Sequence, residues 1–192
     1  MNRAQFDWNE FSIGFWHPFG AHSHEGTKRI LNRKQDEIKC NEWTLWSFRG
    51  RTEVTVQFWL NQLKGAKEVF ALCSNSPSAV DPAVENNPPL CMNYRLLGEE
   101  VWKPIPDAVK VPHSFGKRPP KNPIASAFVV ADVIESPQKE FDFTVSGYFK
   151  GSWRDQVLPR PEHLIRRGGA ARLRSVVAVL RLKLPYVVWI KP

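Results

Sequence analysis

The hydrophobic positions of the chain fall in short runs, some of them alternating, broken by proline and glycine. FSIGFWHPF, residues 11–19, predicts an aromatic-rich first strand stopped by Pro18 and Gly20. Ser23 is placed to cap a helix, with Glu25 in its first turn, where the helix dipole favours an anion. Ile30, Leu31 and Ile38 give that helix one apolar side through Cys40, and Asn41 can end it. EWTLWSFR, 42–49, alternates again, with Trp43 and Leu45 facing one way and Trp46 and Phe48 the other. Residues 52–64 carry two periods at once. TEVTV alternates like a strand, yet Val54, Phe58, Trp59 and Leu63 fit helical spacing, which favours a short helix.

EVFALCS, 68–74, predicts a buried strand, and ASAFVVADVIES, 125–136, predicts the clearest core strand of the chain. Residues 75–124 hold ten prolines in fifty positions, which predicts a long irregular excursion with at most short strands. Loops of that length often carry function. Near the end, Leu173, Val176, Val177 and Leu180 fit a helix after Gly168 and Gly169, whereas the β-branched content of 170–184 argues for a strand. Both stay open. PYVVWI, 185–190, predicts a strand in either case. The sum is an α+β chain: a small mixed, partly closed β-barrel with two or three helices packed around it. At 192 residues it is expected to be a single domain, 1–192. Its barrel-like body would cover 11–149, including the proline-rich excursion, with a basic extension over 150–192.

Charge changes the picture more than overall composition does. The net charge is +8, and from Lys150 to Pro192 ten Lys and Arg stand against Asp155 and Glu162 alone. The first 149 residues hold seventeen charges of each sign, so the whole excess lies in the last fifth of the chain. A field concentrated in this way attracts phosphates, which points to a polyanion as partner; a basic surface that only confers solubility is the alternative. Cys40, Cys73 and Cys91 form no C-x-x-C pair and are odd in number, which argues against a disulfide framework or zinc ribbon and for a reducing compartment. MNRAQFDWNE has no apolar core of signal length, and the longest aliphatic run is VVAVL, 176–180. A cytoplasmic protein with no membrane partner is expected.

The densest chemistry lies in GFWHPFGAHSHEG, 14–26. His22 and His24, with His17 or Glu25, offer a set that zinc or iron could use, but there is no H-E-x-x-H, and a cap at Ser23 would make the two histidines diverge. No metal and no other cofactor is expected. The helix start adds free backbone N–H groups with Lys28 and Arg29, a place for a phosphate that Glu25 opposes. Tryptophan is abundant, eight in all, and its N–H needs a partner wherever the ring is buried. Most of the large aromatic rings belong to a core, yet Trp16, Trp46, Phe48 and Trp102 are placed to line a base-stacking cleft, with Trp43 assigned to the core. Cys73 with His113, and the PDAVK fragment at 106–110, are the weak traces of a nucleophilic enzyme or a nuclease.

An early aromatic strand, a helix, WTLWSF, a buried strand ending in VFALCSNS and a late AFVVADVIESP together resemble the PUA-like superfamily, in its EVE and ASCH branches. GTKRILNR, 26–33, is similar to the ASCH-type G-x-K-x-x-E-x-R at Gly26, Lys28 and Arg33, with Leu31 in place of the acidic residue. Trp102 precedes the core strand, where the EVE pattern has its tryptophan segment after it. The resemblance covers about 14–137 and implies a small β-barrel that binds RNA or a modified base in a cleft beside the barrel.

These features point to a non-enzymatic nucleic-acid-binding domain, for RNA or DNA. Lys28, Arg29, Arg166, Arg167, Arg172 and Arg174 would hold phosphates, and the aromatic cleft would hold a base. The alternatives are an enzyme acting on a nucleic acid or nucleotide, with His17, His22, His24 or His113 as ligand or base, and an interaction module for an acidic protein.

Overall fold

The computed structural model describes residues 12–19, 24–48, 53–64, 66, 68–75, 91–111, 125–135, 140–144, 163–166, 170–174 and 176–192. In chain order its elements are β1 (Ser12–Phe19), α1 (His24–Asn41), β2 (Thr44–Phe48), α2 (Glu53–Gln62), β3 (Glu68–Asn75), β4 (Asn93–Arg95) and β5 (Lys103–Pro104). They continue as β6 (Ala125–Glu135), β7 (Glu140–Thr144), β8 (His163–Arg166), β9 (Ala170–Arg174) and β10 (Val176–Lys191). The chain is therefore α+β. The first strand, the helix that follows it, the short helix at 52–64 and the strands at 68 and 125 fall where their periodicities predict them. The open choice at 170–184 resolves to strand: Ala178, Val179 and Leu180 are buried in succession, which a central strand covered on both faces requires.

Eight strands form one mixed sheet in the order β2-β6-β10-β3-β1-β8, with β4 bonded to β10 and β5 to β4, while β7 and β9 pair separately. Every pairing is antiparallel except that of β1 with β3, which the α1-β2-α2 segment joins as a crossover. The expected partial closure into a barrel is not found among the described strands. The last strand, which could have closed the sheet on an edge, instead runs through its middle.

β10 is the spine. It pairs with β6 along most of its length, while its other edge meets β3 over Val176–Arg181 and β4 over Trp189–Lys191. Between these partners the register shifts: Leu182 faces Val130 and Val187 faces Phe128, so four residues of β10 loop out opposite one of β6. That bulge divides the far edge into two separate ladders. It also exchanges the faces, because Leu180 and Leu182 lie on the same side as Val187 and Trp189.

Both faces of the sheet are covered. On one side Phe15, Trp46, Phe48, Phe128, Val130, Leu180 and Trp189 meet Leu31 of α1 and Val56, Trp59 and Leu63 of α2. Its centre is aromatic: the Phe48 and Phe128 rings stack at 4.3 Å, and Phe15 lies 5.0 Å from Phe128 and 5.4 Å edge-on to Trp59. On the other side Leu45, Ala127, Val129, Val188 and Ile190 lie beneath Cys91, Ile105, Val109 and Val111. The proline-rich excursion is thus no free loop over 91–111; it roofs the second core and supplies β4 and β5. Helix α2 turns Val56, Trp59 and Leu63 inward, and Val54, one of the positions that suggested a helix, is 80% exposed.

Candidate nucleic-acid interface

The second half of β10 builds a three-stranded corner with β4 and β5. Trp189 faces Arg95, Ile190 faces Tyr94 and Lys191 faces Asn93; beyond them Asn93 faces Pro104 and Tyr94 faces Lys103. Carried one residue past β5, the same register sets Trp102 opposite Arg95. Side chains alternate across a strand, so Trp189, Arg95, Trp102 and Lys191 share one face, on the side where α2 packs. Tyr94 belongs to the opposite face, where it meets Trp43 edge-on at 6.1 Å.

The four residues on the shared face form a ladder of rings and cations. The Arg95 guanidinium carbon is 5.6 Å from the Trp189 ring centroid and 5.5 Å from that of Trp102. Arg95 is fixed there: Nη2 donates to Glu53 Oε1 and Nη1 to the Glu99 carbonyl, both at 2.7 Å. Trp102 is partly buried against the aromatic core, and a second cation, Lys191 Nζ, lies 4.3 Å from its centroid. Among the described residues Lys191 Nζ has no hydrogen-bond or ion-pair partner. The indole is thus partly exposed, packed from within against the aromatic core, and carries an ammonium over its ring. A cation over an exposed ring is worth about 0.5–1 kcal/mol, whereas a base stacked on an aromatic side chain is worth about 1–3 kcal/mol.

A different constellation is buried under α1. The inward stripe of that helix runs Thr27, Leu31, Lys34, Glu37, so two charged residues occupy positions where apolar ones are usual. Lys34 Nζ donates to Glu37 Oε2 at 2.7 Å, to the Lys110 carbonyl at 2.7 Å and to Thr44 Oγ1 at 3.3 Å. Thr44 Oγ1 in turn donates to Glu37 Oε2, and the Lys110 amide donates to Glu37 Oε1. Burial pulls the Lys34 ammonium down to about 8, against the opposing attraction of Glu37. A lysine so perturbed is a functional-site candidate in principle. Here all three of its donors are engaged, and the network ties α1 to β2 and to the roof at 110. Its role is architectural. The signal was present in the sequence as a Lys–Glu pair three residues apart at inward helical positions.

The predicted aromatic cleft is not assembled as expected. Trp46 is 6% exposed and Phe48 1%, and both belong to the aromatic core, so neither offers a face to a base. Alternation along β2 was correctly read, but its premise of one free face fails because α2 covers one side and the 91–111 roof the other. Trp43, assigned to the core, is only partly buried and packs against the second core. Of the described cleft residues Trp102 alone is partly exposed. Trp16 lies on β1, opposite Leu72 of β3 and His163 of β8, with its side chain outside the described set.

Of the predicted phosphate contacts, Lys28 and Arg29 are exposed on α1, on a shallow open depression shared with Asn32, Arg33, Asp36 and Cys40. Arg166 lies on β8 opposite Ile13, and Arg172 and Arg174 lie on β9 opposite Asp142 and Glu140; their side chains and Arg167 fall outside the described residues. Those two registers set arginine against acid across the β7-β9 pair. Arg95 and Lys191 have no local signal in the sequence, and the pairing of β10 with β4 and of β4 with β5 brings them to Trp102.

For the metal alternative, His17 lies on β1 opposite Cys73 and His24 opens α1, with both side chains outside the described set, as is the whole of His22. Among the described residues no three His, Cys, Asp or Glu side chains gather as a metal site would need. Cys73 is fully buried and its thiol is pushed far above the ordinary range by desolvation, which makes it a poor nucleophile. His113 lies outside the described residues. No helix among the described residues is long and apolar enough to cross a membrane. No protein-family model, curated protein or solved structure matches the chain.

Proposed function

We propose that the protein is a non-enzymatic nucleic-acid-binding domain, in which cations supply affinity and an aromatic surface engages a base. The observation that carries this reading is the division of charge, neutral over 149 residues and +8 over the last 43. Net charge alone would be weak support; its confinement to the last fifth of the sequence strengthens it. Arg166, Arg167, Arg172 and Arg174 provide its densest part, and exposed Lys28 and Arg29 add to it from α1. Trp102 supports the aromatic half of the reading, since it is partly accessible and carries cations on its face. The resemblance to the PUA-like superfamily is favoured by the strand–helix–tryptophan-strand order of β1, α1 and β2 and opposed by the open sheet, and it enters only as an analogy. Three free thiols fit a reducing compartment, so the cytoplasm is the proposed location.

The test is equilibrium binding of the full chain to labelled RNA and DNA oligonucleotides, with polyglutamate as a control polyanion. Binding of the oligonucleotides in preference to polyglutamate supports the reading. Preference for polyglutamate would move the protein to the acidic-partner class.

A further inference from the structure

We infer that the β10-β4-β5 corner is a subsite for single-stranded nucleic acid, in which one unpaired base stacks on Trp102 and Lys191 moves from the ring onto the adjoining phosphate. The inference rests on the nucleic-acid reading above and sharpens it to a strand class and a place.

Three features of the corner support this. The indole is immobilised: its inner part packs on the aromatic core, and Arg95, opposite it in the register, is itself anchored by Glu53 and the Glu99 carbonyl. A rigid ring loses little freedom when a base stacks on it, so the platform is ready before the ligand arrives. The two cations differ in kind. Arg95 has fixed partners, whereas the ammonium of Lys191 rests on the ring at 4.3 Å with none among the described residues, on a long, partly exposed side chain. The subsite therefore holds one ring-shaped and one anionic position, side by side, which is the composition of a nucleotide unit. Finally, β5 is bonded only to β4 among the described strands, so Trp102, which precedes β5, lies at an edge of the described sheet with its indole partly exposed. A ring at an edge can meet a base that is splayed out, and cannot reach the face of one stacked within a duplex. An acidic peptide would engage Lys191 and leave the indole unused.

The experiment measures fluorescence anisotropy with a labelled single strand of about 12 nucleotides and with the duplex of the same sequence, at several salt concentrations. Trp102→Ala is expected to weaken single-strand binding about tenfold, equivalent to about 1.4 kcal/mol, and to change duplex binding by less than about twofold. Trp102→Phe should recover most of the loss, since a phenyl ring still stacks. Lys191→Gln, a surface change that leaves the core untouched, should reduce the single-strand salt slope by about 0.7, the value for one phosphate. Should Trp102→Ala fail to fold, Trp102→Phe and Lys191→Gln decide. Equal losses on strand and duplex, or unchanged single-strand binding by both Trp102→Ala and Lys191→Gln, overturn the subsite while leaving nucleic-acid binding in place. Polyglutamate binding that depends on Lys191 but not on Trp102 overturns it in favour of an acidic peptide. Wild-type protein that binds neither strand nor duplex overturns the underlying reading as well.

Discussion

Lys34 and Glu37, three residues apart on α1, form an ion pair with 2.7 Å between Nζ and Oε2, and both side chains are at least 96% shielded from solvent. Desolvating two charges is expensive, and the pair is tenable because Thr44 and both backbone groups of Lys110 complete its hydrogen bonds. Removing one partner leaves the other buried and uncompensated. Lys34→Ala and Glu37→Ala are each expected to cost about 3–5 kcal/mol of stability in denaturant melts. Hydrogen exchange at 105–111 should rise in both variants, because the roof loses its tie to α1. Ordinary surface-like losses below about 1 kcal/mol would show the pair to be solvated in solution.

The same pair gives a pH signature with a definite sign. The native Lys34 ammonium titrates at about 8 and that of the unfolded chain at its ordinary 10.5. Between those values the unfolded chain holds the additional proton, so this group makes stability rise as pH increases from about 8 towards 10.5. Below 8 both states are protonated and the contribution is flat. Measured as the difference in melting temperature between wild type and Lys34→Met, the wild type should gain on the variant over that window. A difference that stays constant or reverses would place the native ammonium at or above its ordinary value.

Trp46 and Phe48 are core residues in the structure, and their loss should be felt as stability. Trp46→Ala and Phe48→Ala are expected to cost about 3–5 kcal/mol each, from lost transfer energy and the cavity left behind. Trp43→Ala, at a partly buried site on the second core, should cost less than either. Oligonucleotide affinity per folded molecule should be unchanged in all three.

Much of the fold was legible in the chain because its regular elements have clean periods. α1 is marked by its caps and by Ile30, Leu31 and Ile38, and β6 by an unbroken apolar run. Local periodicity carries no information on what covers a strand. The alternation of Trp43 to Phe48 is the same whether one face or both are buried, so the tryptophan cleft was set on a face that α2 fills. The corner at Trp102 depends on register between residues about ninety positions apart, Arg95 against Trp189, and nothing near Trp102 announces it. Barrel closure likewise depends on which strand takes the middle of the sheet, and the bulge at 183–186 that lets β10 serve β3 and β4 in turn has no local signature except Pro185.

The cysteines provide a check on burial that is independent of ligand. Cys40 is exposed on α1, while Cys73 and Cys91 are buried, with the Cys91 thiol pushed up to about 12 by desolvation. A disulfide reagent at neutral pH should modify Cys40 alone in the native protein and all three thiols in denaturant. Rapid native labelling of Cys91 would mean that the 91–111 roof opens readily.

The most direct measurement of the central claim is the salt dependence of oligonucleotide binding by wild type and by the variant with Arg166, Arg167, Arg172 and Arg174 all replaced by Ala. Wild type should bind with an affinity that falls steeply and log-linearly with salt, by about 0.7–0.9 per phosphate contacted. If each arginine holds one phosphate, the quadruple variant should flatten that slope by about 3, weakening binding nearly equally for all sequences. A slope unchanged by the four substitutions, or no binding by wild type at low salt, would contradict the account.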